Sequence, residues 1–301
     1  MNTDFHYRDK IRIGVIGAET ALGQTYLRLL EGHPWFTVVE KFANASMADE
    51  FPKDPFDLVL SSLDEQDFAQ EQALVAKGFT VISAFNNSQD TLIIAPEVNS
   101  GHLGFLQDVA GKKGCRISLA ANSVSMLSLA IMPLIHEYGL YEVNCAALDP
   151  RQPAHESEGD VDLEFQARRL LGHRQQTVFE DWNGRVVIKS TATAFSDSET
   201  LLVFCKCKHK GTEADIIDTW SKYRTILQEM KLPFSPAQPI VYGILPVEPA
   251  AKEVMPLLIS DLAYTSNEYT FKVSVGSVRE RVAVAGIQTA ELLVKFGLIY
   301  W

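Results

Sequence analysis

The order of apolar and glycine residues near the N-terminus constrains the fold of this chain more than any other feature. Residues 11–16 have the composition of a buried strand, glycines follow from Gly14 to Gly23, and the apolar positions of residues 26–30 have helical spacing. A strand that enters a helix through a glycine turn is the usual opening of a βαβ unit. The sequence therefore predicts an N-terminal part built on a parallel sheet.

Strand and helix patterns continue to alternate after this unit. Further strands are predicted at residues 36–40, 57–62 and 79–83. A helix at residues 67–77 ends before Gly78. Strands separated by helices form parallel sheets with right-handed crossovers, which bind ligands at the carboxyl ends of the strands. We assign residues 1–124 to this Rossmann-like domain.

The strand pattern changes after residue 124. An apolar segment with small residues, 124–134, predicts a buried helix that connects two domains. Longer alternating strands follow at residues 143–148, 184–194, 201–208 and 269–278, with amphipathic helices at 161–171 and 214–230. This pattern predicts a mixed α+β second domain over residues 125–278.

The final segment predicts one more helix. Residues 284–296 have apolar side chains on more than one side of such a helix. A helix of this kind docks on an existing domain instead of standing alone in water. We expect it to dock back on the first domain, and residues 284–301 are assigned there.

Composition and charge exclude several classes of partner. The 301 residues are 47% hydrophobic and 22% charged, which suits two folded cores, and a net charge of −11 with a pI near 5.1 disfavours nucleic acid and anionic membranes. We expect no signal peptide and no membrane span, and therefore a cytoplasmic protein. The cysteines lack the number and the spacing of a disulfide framework; they are Cys115, Cys145, Cys205 and Cys207.

The glycine turn is a candidate nucleotide site. Gly14, Gly17, Ala18 and Gly23 allow a tight turn at the start of the helix, where free N–H groups and the helix dipole attract a phosphate. Glycines that only pack a strand against a helix are an equally good interpretation of the same pattern.

Two further residues are assigned to this cofactor site. Glu40 is expected at the end of the second strand, where a carboxylate accepts hydrogen bonds from a ribose 2′-hydroxyl and favours NAD over NADP. An exposed strand-end carboxylate beside Lys41 is the alternative. Ser61 is expected near the end of the third strand.

Several stretches together resemble the aspartate-semialdehyde dehydrogenase family. They are the glycine turn, Ile94 to Asn99 with its Pro-Glu-Val-Asn motif, the Asn122–Ser123 junction with the apolar segment 129–134, and residues 287–292. The Pro-Glu-Val-Asn motif is the most specific, and the stretches cover most of a chain that looks shortened between Pro256 and Gly286. The resemblance implies a Rossmann-like domain that binds NADP and a second domain that pairs two subunits into a homodimer.

The resemblance also implies where a catalytic site would lie, and the catalytic residues are replaced there. The family's nucleophilic cysteine follows an asparagine at the domain junction, whereas here Ser123 follows Asn122. Its histidine base corresponds to Asp197, and the region of its carboxylate-binding arginine holds Lys189, which lacks a bidentate fork. A cysteine thiol with a pKa of roughly 8.5 is readily ionised, whereas a serine hydroxyl needs a dedicated base, and the sequence offers none.

The cofactor side departs from the family as well. Glu19 and Thr20 replace the usual Thr-Gly and put a carboxylate where pyrophosphate would lie. Asp64 and Glu65 add acidic groups in a loop that is glycine-rich in the family. We expect binding of NAD or NADP to be weakened. The segment 147–150 also lacks the family's substrate-contacting glutamine.

These replacements point in one direction. Nucleophile, base, substrate arginine and cofactor loop have all changed, and the chain resembles the cysteine-lacking, Usg-type paralogues of this dehydrogenase. We expect a catalytically inactive homodimer that acts by binding a protein or a metabolite. The alternatives are a reductase without a covalent intermediate, in which Ser123 and Asn122 position the substrate, and a true dehydrogenase that uses Ser123.

No metal site is expected. Cys205, Cys207 and His209 have the spacing that places side chains on one face of a strand, but a structural zinc site normally needs a fourth ligand, and none is spaced nearby. Alternate strand residues that face the core or an interface are the preferred interpretation. Cys115 and Cys145 lie in apolar strand contexts that predict burial.

Overall fold

A computed structural model of the chain describes residues 10–43, 56–85, 92–106, 114–149, 163–171, 182, 184–192, 198–243 and 254–299. Within these ranges the strands are β1 (Ile11–Ile16), β2 (Phe36–Phe42), β3 (Leu58–Ser61), β4 (Val81–Ser83), β5 (Ile93–Ile94), β6 (Arg116–Leu119), β7 (Leu140–Asp149), β8 (Arg185–Ala192), β9 (Glu199–Cys207), β10 (Ile240–Tyr242), β11 (Leu257–Thr265) and β12 (Glu268–Val275). The helices are α1 (Ala21–Leu30), α2 (Phe68–Ala76), α3 (Pro96–Asn99), α4 (Asn122–Tyr138), α5 (Leu163–Leu171), α6 (Glu213–Lys222), α7 (Ile226–Glu229) and α8 (Val278–Lys295). Short 3₁₀ segments lie at Glu65–Asp67 and Ser100–Leu106. None of these described helices is both long and apolar enough to cross a membrane.

The first sheet is parallel throughout and has the strand order β2-β1-β3-β4-β6-β5. Residues of α1 and α8 complete the core on one of its faces. On the other face, Leu74 of α2 packs with Ile16 and Val59 in a smaller core. The strand order reverses between β1 and β3, so their carboxyl ends border the crevice where such sheets bind ligands. The predicted Rossmann-like sheet is confirmed.

The second sheet is mixed and has the order β10-β11-β12-β9-β7-β8. The outer pairs β7–β8 and β10–β11 are parallel, and the pairs between them are antiparallel. Residues of α4, α5 and α6 form the larger core with the inward residues of β7, β9 and β12. Alternate residues of these strands, such as Phe204, lie on the opposite face. The predicted mixed second sheet is also confirmed.

Helix α8 docks on the first sheet, as predicted, and joins the end of the chain to its beginning. Ile287 and Leu293 of α8 lie in one core with Tyr26 of α1. Gly286 lets the two helices approach closely, because a methyl group at this position would meet the Tyr26 hydroxyl. The first sheet is therefore complete only with the last helix of the chain.

Some helix boundaries differ from the predictions. Helix α8 begins six residues earlier than predicted, because the Ser277 hydroxyl accepts a hydrogen bond from the Glu280 amide and caps the helix before Val278. Helix α4 continues through Pro133 to Tyr138. Its burial in the second core offsets the intrahelical hydrogen bond that the proline removes.

The predicted helix over residues 214–230 is wrong as a single element. It is divided into α6 and α7, because Thr225 and Gln228 form a capping box that starts a new helix. The sequence analysis also missed β5, β10 and β11, of which β5 and β10 are too short to show an alternating pattern. It placed Cys115 in a strand context but gave no bounds for β6. The predicted domain boundary at residue 124 falls inside α4, and the division into domains stays a prediction.

A buried histidine–glutamate contact fastens α8 to neighbouring loops. Because His33 Nδ1 accepts hydrogen bonds from two backbone amides, its Nε2 carries the proton and donates to Glu291 at 3.0 Å. Glu291 also accepts from the Phe234 amide. Burial, assisted by the nearby Lys10 ammonium, lowers the pKa of His33 to about 4, and burial raises the pKa of Glu291 to about 8. A neutral imidazole therefore faces a carboxyl group that keeps its proton up to mildly alkaline pH.

Replacing Glu291 with glutamine should make stability less dependent on pH. The raised pKa of Glu291 gives a stabilising contribution that is fully present below about pH 4.5 and is lost as the pH rises through about 8. Between about pH 5 and about pH 9, the free energy of unfolding of the wild type should fall relative to Glu291→Gln by a few kcal/mol. Urea denaturation across this range measures the difference. The exposed substitution Glu31→Gln is the control, and parallel pH profiles for wild type and Glu291→Gln would contradict the assignment.

Candidate functional site

The turn between β1 and α1 depends on two of its glycines. Gly17 has a φ of 71°, which residues with a side chain rarely adopt. A methyl group on Gly23 would overlap the Gly17 carbonyl oxygen. The glycines are therefore required for packing, whether or not a ligand binds at the turn.

Two hydroxyl groups close this turn against the end of β3. The Ser62 hydroxyl lies 2.8 Å from the Gly17 carbonyl oxygen and 2.8 Å from the Thr20 hydroxyl. The Thr20 hydroxyl accepts a hydrogen bond from the Gly23 amide and caps α1. The first N–H groups of α1 and the positive end of its dipole therefore point into the crevice at the carboxyl ends of β1 and β3. The backbone of this turn fits a phosphate group.

The acidic side chains around this helix end disfavour the binding of an anion. Glu19 precedes the cap of α1 and Asp64 follows β3, and both are exposed. Glu65 lies in the 3₁₀ segment that follows. The helix dipole attracts anions, but the carboxylates of Glu19 and Asp64 repel a pyrophosphate at this end of the sheet. The turn thus fits a dinucleotide through its backbone, while the charge around it lowers the affinity.

Glu40 is placed differently from the expectation, whereas Ser61 lies at the end of β3 as expected. Strand β2 continues to Phe42, which packs in the smaller core, so Glu40 lies two residues before the end of the strand and does not end it. Ser61 does end β3, but it is completely buried, and its hydroxyl accepts a hydrogen bond from the Leu63 amide. The residue that faces the glycine turn is its neighbour, Ser62.

Ser123 lies in the first turn of α4, where the chain passes from the first sheet to the second. Ala121, the residue that precedes the helix, makes no side-chain cap. The N–H groups of the first turn and the positive end of a 17-residue helix dipole therefore lie at Ser123. Ser123 is 6% exposed. The hydrogen bonds described at this helix end are made by its neighbours Ala121 and Asn122.

Two buried residues that the sequence analysis did not single out hold this helix end. Asn122 Nδ2 donates to Glu199 Oε2 at 2.6 Å, and Gln166 Oε1 accepts from the Ala121 amide at 3.0 Å. Glu199 and Gln166 are both 2% exposed. The sequence does contain a signal for the burial of Glu199. This residue occupies one of the alternate positions of β9 whose side chains face inward. Gln166 has helical spacing with the apolar residues of α5.

Lys189 is not brought to Ser123. Lys189 is exposed on β8, whereas its neighbour Ile188 faces the core that contains α4, so Lys189 lies on the opposite face of the sheet. Asp197 lies outside the described residues. Ser123 is therefore accompanied by Asn122 and, through it, by Glu199.

The cysteines lie in the core. All four are buried free thiols, and burial raises the pKa of Cys145 to about 12, with a further contribution from the Glu199 carboxylate. Cys205 and Cys207 face the core from β9 and His209 is exposed beyond the strand. Of the two predicted locations for these cysteines, the core or an interface, the structure shows the core. In the described part of the chain, no group of three or more His, Cys, Asp or Glu side chains is arranged to hold a metal ion.

An open cleft lies beside the first turns of α4. It is lined by Pro96 and Glu97 of α3, by Ser125 of α4 and by Arg281 of α8. Arg281 donates to Glu97 at 2.9 Å and joins α3 to α8. Because α8 docks on the first sheet and α4 packs on the second, this cleft lies between the two sheets.

Comparison of sequences agrees with the resemblance found above. No protein-family model matches this chain. An aspartate-semialdehyde dehydrogenase of Archaeoglobus fulgidus is 27% identical over 171 residues, which are 45% of this chain and 49% of that relative. An aspartate-semialdehyde dehydrogenase of Methanothermobacter thermautotrophicus is 21% identical over 282 residues, which are 77% of this chain and 81% of that relative. The first match thus spans about half the length of the Archaeoglobus relative.

Solved structures share the fold. Aspartate-semialdehyde dehydrogenase of Candida albicans with NADP has a TM-score of 0.76 at 18% identity, over 96% of this chain and 100% of that one. Aspartate-semialdehyde dehydrogenase II of Vibrio cholerae, complexed with ASA, has a TM-score of 0.68 at 15% identity, over 95% of this chain and 99% of that one. Relatives and structural neighbours together point to the aspartate-semialdehyde dehydrogenase family, as the sequence predicted.

Substituting alanine for Gly23 should destabilise the protein by about 2 kcal/mol or more, because the added methyl group meets rigid backbone at Gly17. Chemical denaturation measures the loss. Gly104→Ala is the matched control, since a methyl group there meets nothing within 4 Å. Equal stability of the two variants would show that the turn relaxes without cost.

Proposed function

We propose that this protein is a catalytically degenerate, Usg-type relative of aspartate-semialdehyde dehydrogenase that acts in the cytoplasm as a homodimer binding a protein or a metabolite. The position of Ser123 in the first turn of α4 carries this proposal. The N–H groups and the dipole of such a helix end lower the pKa of a thiol, but they leave a serine hydroxyl un-ionised at neutral pH. The helix end is thus suited to a cysteine and holds a serine.

The surroundings of Ser123 support binding better than acyl transfer. A serine nucleophile needs a base within hydrogen-bonding reach. Glu199 is the buried carboxylate described at this helix end, and it already accepts a hydrogen bond from Asn122 Nδ2. His136, the histidine on the same helix, lies in its last turn. The arrangement orients Asn122 and does not deprotonate Ser123.

An NAD(P)-dependent oxidoreductase acting on an aldehyde or semialdehyde is the second candidate function. The glycine turn favours it, because Gly17 and Gly23 keep the backbone in the form that fits a pyrophosphate at the carboxyl ends of β1 and β3. The Candida albicans enzyme with the same fold was solved with NADP. In such a reductase, Asn122 and Ser123 position the carbonyl. Glu19 weighs against an NAD(P)-dependent function, since its carboxylate repels the phosphates of the cofactor.

An activity assay separates the two candidates. The purified protein should not reduce NAD or NADP in the presence of aspartate semialdehyde and phosphate, because no ionised nucleophile forms at Ser123. Ser123→Cys, compared with Ser125→Cys two residues along the same helix, tests the position itself. A rate found only with Ser123→Cys would support degeneracy at this residue. Robust reduction by the wild type would overturn the proposal.

Calorimetric titration with NAD(H) and NADP(H) is the accompanying control. We expect dissociation constants in the millimolar range or no detectable binding. Glu19→Gln should tighten binding by about two- to fivefold, because it removes one exposed carboxylate from the helix end. Micromolar binding by the wild type would favour the oxidoreductase and would justify a screen of aldehydes.

The face of the second sheet that lies opposite its core is the surface that we propose for the homodimer. Phe204, which is 51% exposed, and its neighbours Leu202 and Ala146 form an apolar centre. The adjacent row of residues alternates in charge and consists of Arg185, Glu142, Lys206 and Glu268. Apolar side chains beside alternating charges suit pairing with a second copy, since a two-fold axis can bring opposite charges together.

Phe204→Asp should convert the proposed homodimer into a monomer, because it places a charge at the centre of the apolar patch. Light scattering coupled to size-exclusion chromatography measures the mass. Phe105→Asp changes another exposed phenylalanine, 42% exposed in a 3₁₀ segment of the first half, and should leave the mass unchanged. A monomeric wild type would contradict the interface.

A further inference from the structure

A short segment of the chain leaves the second core and packs in the first. Helix α6 before this segment and strand β10 after it pack in the second core, through residues such as Trp220. Between them, Leu227, Leu232 and Phe234 lie in the core of the first sheet. We call residues 225–236 the strap. Because both flanks of the strap lie in the second core, the strap fastens one sheet to the other.

The strap is closed at its base and bonded within itself. Beyond its end, Gln238 Nε2 donates at 2.9 Å to the carbonyl oxygen of Ser221, which lies ahead of its start. Within the strap, Thr225 and Gln228 form a capping box, and Gln228 Nε2 donates to the Pro236 carbonyl oxygen at 3.1 Å. A compact loop with joined ends can move as one unit without disturbing the elements that it connects.

Helix α8 holds the strap by its backbone. The Phe234 N–H donates to the two carboxyl oxygens of Glu291, at 3.1 and 3.3 Å. The Phe234 carbonyl oxygen accepts from Gln288 Nε2 at 2.7 Å. Glu291 and Gln288 are both buried on α8. One helix therefore binds both polar backbone groups of a single strap residue.

The loop after α1 completes this contact. His33 Nε2 donates to Glu291, and the His33 ring lies 5.1 Å from the ring of Phe234. The Lys10 ammonium, ahead of β1, donates to the His33 carbonyl oxygen at 2.6 Å. The strap, α8 and the loop after α1 thus meet at one buried carboxyl group.

The surroundings of Glu291 do little to balance a negative charge. Among the described residues, the group paired with Glu291 is His33, and burial keeps that imidazole neutral. The charged residues of the strap, Glu229 and Lys231, are exposed, and the next charged residue of α8, Lys295, packs over a tryptophan ring. Ionisation of Glu291 therefore places a negative charge in the core, which is costly until water reaches it.

We propose that the strap is a releasable fastening between the two sheets, and that the carboxyl group of Glu291 is its release point. With this group protonated, the strap stays in the first core. When the group ionises, lifting of the strap lets water reach the carboxylate, and the open form is favoured. Both cores stay folded, because the strap is joined at its base. The proposal requires neither catalysis nor a ligand and is independent of the proposed function.

The direction of the pH dependence follows from burial. Burial raises the pKa of Glu291 to about 8 in the closed form, whereas a hydrated glutamate has a pKa of roughly 4.3. Between these two values the open form has one proton fewer than the closed form. The open fraction should therefore rise with pH, by up to about tenfold per pH unit, and should level off above about pH 8.

Hydrogen exchange of the full chain, measured by mass spectrometry, tests the strap. Protection factors, which are corrected for the intrinsic exchange rate at each pH, are compared for peptides from the strap, from α1 and from α6. From pH 6 to pH 8 the wild-type strap should lose protection about tenfold more than α1 or α6. In Glu291→Gln the protection of the strap should be independent of pH, because an amide does not titrate. The exposed substitution Glu31→Gln should behave as the wild type.

Trypsin cleavage after Lys231 gives a second measurement, because this exposed strap residue becomes a substrate when the strap lifts. Phe234→Ala should speed this cleavage about tenfold or more while α1 and α6 stay protected, and Phe105→Ala, at an exposed position, should not. Protection of the wild-type strap that does not change with pH would overturn the proposal. An equal loss in the strap, α1 and α6 would also overturn it, since that is global unfolding. The wild-type comparison decides alone if a variant does not fold.

Discussion

The docking of α8 on the first sheet is the interaction on which the rest of the structure depends. The sheet begins with β1, yet the core beside α1 is completed only by the last helix of the chain. Each fully buried aliphatic side chain contributes about 1.5–3 kcal/mol, whereas a typical hydrogen bond contributes about 1 kcal/mol. Apolar burial by residues such as Ile287 and Leu293 therefore outweighs the Glu291–His33 hydrogen bond. That bond fixes the position of the helix more than it adds stability.

The position of α8 in turn determines what meets between the two sheets. Its first turns hold Arg281 against Glu97 of α3, while α4 leaves the first sheet at Asn122 and enters the core of the second. The N-terminal turns of two long helices thus converge near one cleft, through Ser125 and Ser277. At this junction the Arg281 guanidinium is paired with the Glu97 carboxylate, which joins α8 to α3.

Packing of the fold and the chemistry of the candidate site place separate demands on this chain. The backbone of the glycine turn and the start of α4 are fixed by packing, because Gly17, Gly23 and the apolar face of α4 are needed for it. The side chains that would carry the reaction are under no such packing demand. A serine fits at residue 123, and an exposed glutamate fits at residue 19, without disturbing the core.

The sequence by itself determined the features whose causes are local. The β1–α1 turn follows from the φ of Gly17 and from the contact of Gly23 with a carbonyl six residues away, and the alternation of β9 predicted its buried cysteines. Tertiary structure alone decided the rest. The end of β2 depends on how Phe42 packs in the smaller core, and Glu199 reaches Asn122 across 77 residues of sequence. Contacts of that kind depend on how two sheets and their helices are packed together, which no pattern within one segment records.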